Sequence, residues 1–424
     1  MPLYLLPSAD LGFYTRIAGD CQARCRPPNR IRPSVSFCAC RERGTISQDI
    51  FPVNTYYWGL LALFLYLAVF AVPYHLYIFL KIRAAFPHGR QWKAWVLWSL
   101  LFLLVPVVIH FDLLERGRGR EVLFALAITE YVTVGMASVA FAALDVLRLL
   151  LSLRDKRKGT CREKWFTPRR VLAIGAAATA LAFAYCYYEA WNVRTVYIEI
   201  PTAKLPAGVE RLRIVHLTDV HIGGIYPAER LKRLMEAVRA AQPDLFVVTG
   251  DLVDGDMRGR DREAAWIADS GAKYGAFAVD GNHEYAAGLE QAYAFMERAG
   301  LRPLHDEVAE AAGIVIVGLD SAGGYELWPL EPLPQDRFVL VLKHYPQVAA
   351  RSAGNFDLQL SGHTHGGQLW PLAYAMKRSY GQAQGLEQRG GGYVYVGKGA
   401  GFWAAPLRFL TPPETAVIDL VRAP

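Results

Sequence analysis

Four long apolar stretches in the first half of the chain limit what it can fold into. They are residues 56–80, 94–111, 122–144 and 171–188. About 20 apolar residues in a helix are enough to cross a bilayer. Aromatic residues that favour the membrane–water interface lie near their ends, among them Trp58, Trp95 and Trp191. The pattern predicts a transmembrane section of four helices, with buried helices of a soluble core as the alternative.

Basic residues cluster in two of the loops between these stretches. They are Lys81, Arg83, Arg90 and Lys93 after the first stretch, and Arg154, Lys156, Arg157, Lys158, Arg162, Lys164, Arg169 and Arg170 before the fourth. Cytoplasmic loops of membrane proteins carry the excess of Lys and Arg, so this rule places both loops in the cytoplasm. In a bacterium with two membranes, it predicts an inner-membrane protein whose second half lies in the periplasm.

Charge separates the two halves of the chain. Residues 1–189 contain 23 Lys and Arg against 12 Asp and Glu, whereas residues 190–424 contain 23 against 27. The net charge of +7 therefore comes from the membrane section, and no nucleic-acid partner is expected for the second half. Glu130 and Asp145 lie within or beside the third stretch, where contacts between helices are favoured over a transport pathway.

Residues 1–50 fit neither half. They are polar and hold four of the six cysteines, namely Cys21, Cys25, Cys38 and Cys40. Their spacing allows a small zinc site. However, a basic tail outside the cytoplasm conflicts with the charge rule, so a disordered extension or a start site placed too early is the favoured interpretation. No cysteine follows Cys186, so the second half has no thiolate ligands.

Five short polar stretches dominate the second half. They read D-V-H at 219–221, G-D-L-V-D at 250–254, G-N-H-E at 281–284, K-H-Y at 343–345 and G-H-T-H at 362–365. Carboxylate, amide and imidazole groups suit Mn²⁺, Fe or Zn²⁺. Two such cations can share a carboxylate and hold a hydroxide that attacks a phosphate ester. The first three stretches alone fit ordinary turns or loops, whereas two alternate histidines between glycines at 362–367 have little structural use. The joint occurrence of the five predicts a two-metal hydrolytic centre.

The polar stretches follow apolar runs that are typical of buried strands. These runs are residues 212–217, 245–248, 277–279, 338–342 and 358–360. Between the first two runs, Leu231, Leu234, Met235 and Val238 have helical spacing, which completes a strand–helix–strand unit. Parallel strands of such units present their carboxyl ends at one edge of the sheet, where open α/β sheets place their sites.

The ordered set resembles the signature of the calcineurin-like metallophosphoesterase superfamily: D-x-H, G-D-x-x-D, G-N-H-[DE], a lone His and G-H-x-H. The resemblance covers residues 211–419. The segments G-H-T-H-G-G-Q at 362–368 and P-P-E-T at 412–415 are similar to bacterial membrane-anchored phosphodiesterases of the YkuE and YaeI kind. The resemblance to the superfamily implies an α/β domain of two packed β-sheets flanked by helices.

The resemblance also implies roles for individual residues. One metal would be held by Asp219, His221, Asp251 and His365, and the other by Asp251, Asn282, His344 and His363. His283 matches the general acid of the family and Asp254 the carboxylate that orients it, with a structural role for His283 as the alternative. Gly255 stands where the serine/threonine phosphatases carry Arg, so protein-phosphatase activity is not expected.

These observations predict a polar extension over 1–52, a four-helix membrane section over 53–190 and a metallophosphoesterase domain over 191–424. The expected activity is hydrolysis of phosphate esters, with phosphodiesters favoured, by two divalent metals. Tethering to the membrane favours a lipid-linked phosphate as substrate. The alternatives are hydrolysis of a UDP-diacylglucosamine-type pyrophosphate, which is a cytoplasmic substrate, and a transporter or sensor with a non-catalytic metal-binding domain.

Several residues near these stretches are expected to have other roles. Phe402, Trp403, Leu407 and Phe409 are candidates for contact with lipid, and Lys398 and Arg408 for contact with a phosphate, with core packing as the alternative. His216 and His305 are expected to be structural. Asp256 and Asp320 are expected in solvated loops.

Overall fold

The computed structural model describes residues 67–110, 118–158, 166–223, 225–320, 333–348 and 353–423. The predicted extension 1–52, the start of the first apolar stretch and every cysteine except Cys186 lie outside these residues. The chain divides into two compact units, residues 1–73 and 74–424. In the first unit, Leu67–Ala71 forms a π-helical turn.

Four long helices follow. They are α1 (Val72–Ala85), α2 (Gln91–His110), α3 (Arg118–Lys158) and α4 (Pro168–Trp191). Among the described residues, four segments are long and apolar enough to cross a membrane: Leu67–Ala85, Gln91–Val108, Gly119–Arg154 and Pro168–Trp191. Where the structure describes them, the four predicted spans are thus confirmed as helices. Helix α3 is longer than expected, since its 41 residues extend about 60 Å at 1.5 Å per residue.

Polar side chains of these helices face neighbouring helices. Glu130 of α3 accepts a hydrogen bond of 3.1 Å from the indole N–H of Trp98 in α2. Asp145 of α3 accepts hydrogen bonds from Lys81 and Tyr77 of α1. Partners on adjacent helices spare these acids contact with lipid. Both acids therefore contribute to helix packing.

The rest of the described chain is an α/β domain with two six-stranded sheets. The first has the order β1 (Arg194–Thr202), β12 (Glu414–Arg422), β2 (Arg211–Leu217), β3 (Leu245–Thr249), β4 (Ala276–Val279), β5 (Arg302–Pro303). The second has the order β10 (Gly385–Arg389), β11 (Gly392–Val396), β9 (Leu358–Ser361), β8 (Val339–Lys343), β7 (Ile314–Leu319), β6 (Glu307–Ala311). Strands β2 to β5 are parallel, as are β7, β8, β9 and β11.

Helices connect the strands on the outer side of the first sheet. They are α5 (Ala228–Ala240), α6 (Asp261–Ala268), α7 (Asn282–Ala287) and α8 (Leu289–Arg298). A further helix, α9 (Ala373–Tyr380), lies between β9 and β10 of the second sheet. The period-2 alternation of β2 explains the layers. Leu212 and Ile214 point into the core between the sheets, whereas Val215 and Leu217 pack towards the helices. Both faces of the sheet are buried, which accounts for the continuous apolar runs of the sequence.

Helices α3 and α4 pack directly on this domain. The rings of Phe124 in α3 and Trp403 lie 5.8 Å apart. The backbone N–H of Arg408 donates to the carbonyl of Cys186 in α4 at 3.0 Å. Leu407 and Cys186 share an apolar cluster with residues of α3. The first half of α3 therefore lies against the domain.

Candidate metal centre

The five polar stretches meet at one edge of the domain. Those at 219–221, 250–254 and 281–284 directly follow the adjacent parallel strands β2, β3 and β4, and those at 343–345 and 362–365 lie at the ends of β8 and β9. The carboxyl ends of both sheets thus supply the site, as the strand–helix–strand pattern predicted.

Three groups of side chains there offer ligand atoms within 4.8 Å of one another. The groups are Asp219–His221–His365, Asp251–His344–His363 and His221–Asp254–His283. The Nε2 atoms of His221 and His365 lie 3.0 Å apart, and Nε2 of His365 lies 3.3 Å from Asp219. Every predicted ligand with an imidazole or carboxylate is in one of the groups.

Two buried polar atoms support the fit of cations to this site. Within the described part of the chain, Nε2 of His344 and Oδ1 of Asn282 are buried without a hydrogen-bond partner. The other nitrogen of His344 lies 2.8 Å from the carbonyl oxygen of Thr249 and donates to it. This bond leaves Nε2 as the nitrogen that faces the carboxylate of Asp251, at 3.3 Å. Buried Asp219 and Asp251 also require positive charge nearby.

Five of these residues have left-handed backbone conformations. Their φ angles are 52° at Asp219, 56° at His221, 51° at Asp251, 70° at His363 and 50° at His365. Such angles are uncommon outside glycine and cost roughly 1–3 kcal/mol each. The surrounding fold must therefore hold them. Strain concentrated on these residues is typical of a functional site.

Gly362 allows the closest approach of two of the loops. A Cβ atom there would lie 1.9 Å from Oγ1 of Thr218 and 2.3 Å from Oδ2 of Asp219. The backbone N–H of the next residue, His363, donates to both carboxylate oxygens of Asp219 at 3.0 Å. Only glycine at this position lets the loop of β9 fix the Asp219 carboxylate.

Asp254 contacts two histidines. Its Oδ1 lies 2.5 Å from Nδ1 of His283 and 3.0 Å from Nδ1 of His221. Burial would lower the pKa of His283, but Asp251 and Asp254 outweigh it and raise this pKa to about 10. Burial would raise the pKa of Asp254, but the two histidines outweigh burial and hold this pKa well below its usual value. Asp254 therefore orients His221 as well as His283, and the contact with His221 was not predicted from the sequence.

Glu284 is a further residue of the site that the sequence analysis did not single out. Its buried carboxylate accepts hydrogen bonds from the backbone N–H groups of Asp251, Leu252, Val253 and Gly281. The acidic fourth position of G-N-H-E was the only signal for this role. Glu284 joins the loop after β3 to the loop after β4.

Three other sequence expectations are tested by the structure. His216 is buried, with Nε2 2.7 Å from Oγ1 of Thr249, and burial lowers its pKa to about 3. Asp320, expected in a solvated loop, is instead buried because it directly follows β7 and accepts a hydrogen bond from Tyr285. Asp256 is exposed and pairs with Arg258.

The expected contacts of Lys398 and Arg408 with a phosphate conflict with the structure. Arg408 is buried and donates to the carbonyls of Gly401 and Thr411, whereas Lys398 pairs with Glu414 at 2.6 Å. Both cations are thus engaged inside the domain. Phe402 and Leu407 are buried as well, so the core-packing alternative holds for them.

Comparison with known proteins agrees with this geometry. Residues 212–367 match the family model of calcineurin-like phosphoesterases. An uncharacterized metallophosphoesterase of Aquifex aeolicus is 34% identical over 249 residues, which are 56% of this chain and 95% of that protein. The chain is a calcineurin-like metallophosphoesterase. The uncharacterized metallophosphoesterase YkuE of Bacillus subtilis is 30% identical over 267 residues, covering 59% of this chain and 93% of YkuE.

A third relative shares more than the metallophosphoesterase domain. A transmembrane protein with metallophosphoesterase domain from Danio rerio is 28% identical over 358 residues, covering 77% of this chain and 81% of that protein. Residues 191–424 alone are too few for such coverage, so the similarity extends into the preceding helices. This metallophosphoesterase therefore combines membrane-type helices with a domain whose family uses divalent metals.

Proposed function

We propose that this metallophosphoesterase is a membrane-anchored phosphodiesterase with two metals. Asp219, His221, Asp251 and His365 would hold one cation, and Asp251, Asn282, His344 and His363 would hold the other. The observation that carries the proposal is the buried, unpartnered Nε2 of His344, which faces Asp251 at 3.3 Å. A buried imidazole nitrogen that has no neutral hydrogen-bond partner and faces a carboxylate supports a role for His344 as a metal ligand.

The chemistry divides between the metals and the side chains. Bound divalent cations would lower the pKa of water and neutralise charge on the phosphoryl group. Asp254 keeps a proton on Nδ1 of His283, so Nε2 is the nitrogen that faces the substrate. The side chain of His283 is 22% exposed, and Asp251 and Asp254 favour its protonated form, so Nε2 can give a proton to the leaving oxygen. No covalent intermediate with the protein is needed.

The substrate is a lipid-linked phosphodiester on the outer side of the membrane. Contacts between the domain and helices α3 and α4 support this, because they hold the centre close to the membrane helices. The start of α3 and the end of α4 both lie against the domain. Arg169, at the start of α4, donates to the carbonyl of Ala85 at the end of α1, which supports a common side for the two basic loops. The division into residues 1–52, 53–190 and 191–424 belongs to the same proposal.

Purified full-length protein with Mn²⁺ or Zn²⁺ tests the proposal on a panel of diesters, monoesters and lipid phosphates. Asp251→Asn should lose metal by elemental analysis and lose hydrolysis, while the fold is kept. Asp256→Asn removes an exposed acid of the same loop and is the matched control. Full metal content and near-normal activity in Asp251→Asn would refute the assignment. Hydrolysis restricted to monoesters would refute the diesterase part alone.

A further inference from the structure

Three of the exposed apolar side chains of the domain lie close to one another. Trp370 and Tyr374 are 48% and 69% exposed, and neighbouring Leu410 is 56% exposed. The backbone N–H of Trp370 donates to the carbonyl of Phe409 at 3.0 Å, which places these residues side by side. Helix α9, which contains Tyr374, has no buried residue. Residues 369–380 and Leu410 together are called the aromatic segment.

The aromatic segment begins at the contact with the membrane helices. Leu369 and Phe409 pack against the apolar cluster of Cys186 and Leu407, to which helices α3 and α4 contribute. The rings of Phe409 and Tyr185 of α4 lie 5.9 Å apart, edge to face. This end of α4 also carries exposed Tyr187 and Tyr188. Tyrosines at the end of a span are typical of the membrane–water interface.

Charge on the aromatic segment complements anionic lipid. Lys377 and Arg378 lie in the last turn of α9, and residues 369–380 contain no acid. The ion pair between Lys377 and Glu387, at 3.7 Å, is exposed on both sides and therefore weak. Basic residues beside exposed Trp and Tyr are typical of helices that lie in the headgroup region of a membrane.

The same segment reaches the metal centre. Tyr380, the last residue of α9, places its hydroxyl 2.7 Å from Nε2 of His363. Its ring stacks on that of Tyr345, which meets His363 edge to face at 4.3 Å between centroids. One short helix thus connects a candidate ligand to the exposed aromatic residues.

We propose that the aromatic segment lies in the headgroup region of an anionic bilayer, with Trp370, Tyr374 and Leu410 towards the acyl chains and Lys377 and Arg378 at lipid phosphates. The occupant of this surface is the bilayer, because the surface continues the contact with α3 and α4 and carries positive charge. The membrane contact does not depend on hydrolysis. A second consequence, that lipid phosphates reach the centre along α9, rests on the proposed function.

Site-specific photocrosslinking tests the contact in the full-length protein. Tyr374→p-benzoylphenylalanine is compared with Tyr274→p-benzoylphenylalanine in nanodiscs of phosphatidylglycerol and phosphatidylcholine. Tyr274 is also exposed, at 43%, but it precedes β4. It therefore lies at the amino-terminal ends of the parallel strands, opposite the metal centre. Lipid adducts, measured by mass spectrometry of the peptides, should be at least about fivefold more abundant at position 374, because interfacial helices contact acyl chains.

Each outcome decides for or against the proposal. Equal lipid adducts at both positions, or crosslinks from position 374 to a second copy of the chain instead of lipid, overturn it. A Lys377→Gln/Arg378→Gln variant should lower the adduct yield at position 374 in nanodiscs with phosphatidylglycerol and leave it unchanged in phosphatidylcholine alone. Metal content and hydrolysis of a soluble aryl phosphodiester, measured on the same samples, report separately on the proposed function.

Discussion

Oε2 of Glu284 lies 2.8 Å from the backbone nitrogen of Asp251, the residue whose carboxylate is shared by the two proposed metal positions. The same carboxylate accepts N–H groups from Leu252 and Val253 through Oε1, and from Gly281 through Oε2. Asp251 Oδ1 in turn accepts from the backbone N–H of His283 at 2.9 Å. One buried acid outside the ligand set therefore sets the distance between the loops of β3 and β4.

Glu284→Gln should destabilise the domain and lower its metal content. An amide in place of one carboxylate oxygen would face two backbone N–H groups, and each buried donor left without an acceptor costs about 1–3 kcal/mol. Thermal unfolding and elemental analysis measure both effects. Glu297→Gln, on the exposed side of α8, is the control and should change stability by no more than about 0.5 kcal/mol. Wild-type stability and metal content in Glu284→Gln would contradict this role.

Asp254→Asn should weaken metal binding as well as proton transfer. Its contact with Nδ1 of His221 fixes the ring whose Nε2 faces His365, and removal of such a partner typically costs about 10–100-fold in metal affinity. Titration with Mn²⁺ by calorimetry measures this affinity, with Asp256→Asn as the matched control. An unchanged affinity for Mn²⁺ would show that the contact with His221 does not support metal binding. Asp254 would then act only by orienting His283.

The location of the centre followed from the sequence because apolar runs and polar stretches alternate. A run such as 245–248 is short, continuous and followed by Gly250, so it predicts a buried strand and a turn at its carboxyl end. Strands of this kind in strand–helix–strand order must be parallel neighbours. This was sufficient to bring Asp219, Asp251 and Asn282 to one edge.

Other features depend on tertiary contacts that the sequence does not reveal. Apart from its place at the end of G-N-H-E, nothing local distinguishes Glu284 from a solvated acid, since its role comes from backbone donors in another loop. The left-handed φ of His221 reflects neighbouring loops rather than its own preference. In α3, the apolar residues that face the domain resemble those that face lipid. The sequence alone therefore could not separate the part of the helix that contacts the domain from the part that crosses the membrane.

Topology can be checked with reporters that are active only outside the cytoplasm. A fusion after Pro424 should be active, and one near Lys158 should be silent, because the positive-inside rule places the two basic loops in the cytoplasm. A periplasmic domain would have no access to a cytoplasmic nucleotide-linked acyl sugar. The reverse pattern would overturn the periplasmic assignment and favour the UDP-diacylglucosamine-type substrate.

His283→Ala should keep both metals and show its largest defect on esters with poor leaving groups. Alkoxides need a proton as the bond to phosphorus breaks, whereas a nitrophenolate leaves nearly unaided. The loss of kcat on an alkyl ester should therefore exceed the loss on an aryl ester by about 10-fold or more. Both esters are measured on one preparation, so a general loss of folded protein cancels. The ring of His283 lies 4.6 Å from that of His221, a proposed ligand, so His283 could also support the metal site. Equal losses on the two esters, or loss of metal, would therefore make His283 a ligand or a structural residue instead of the general acid.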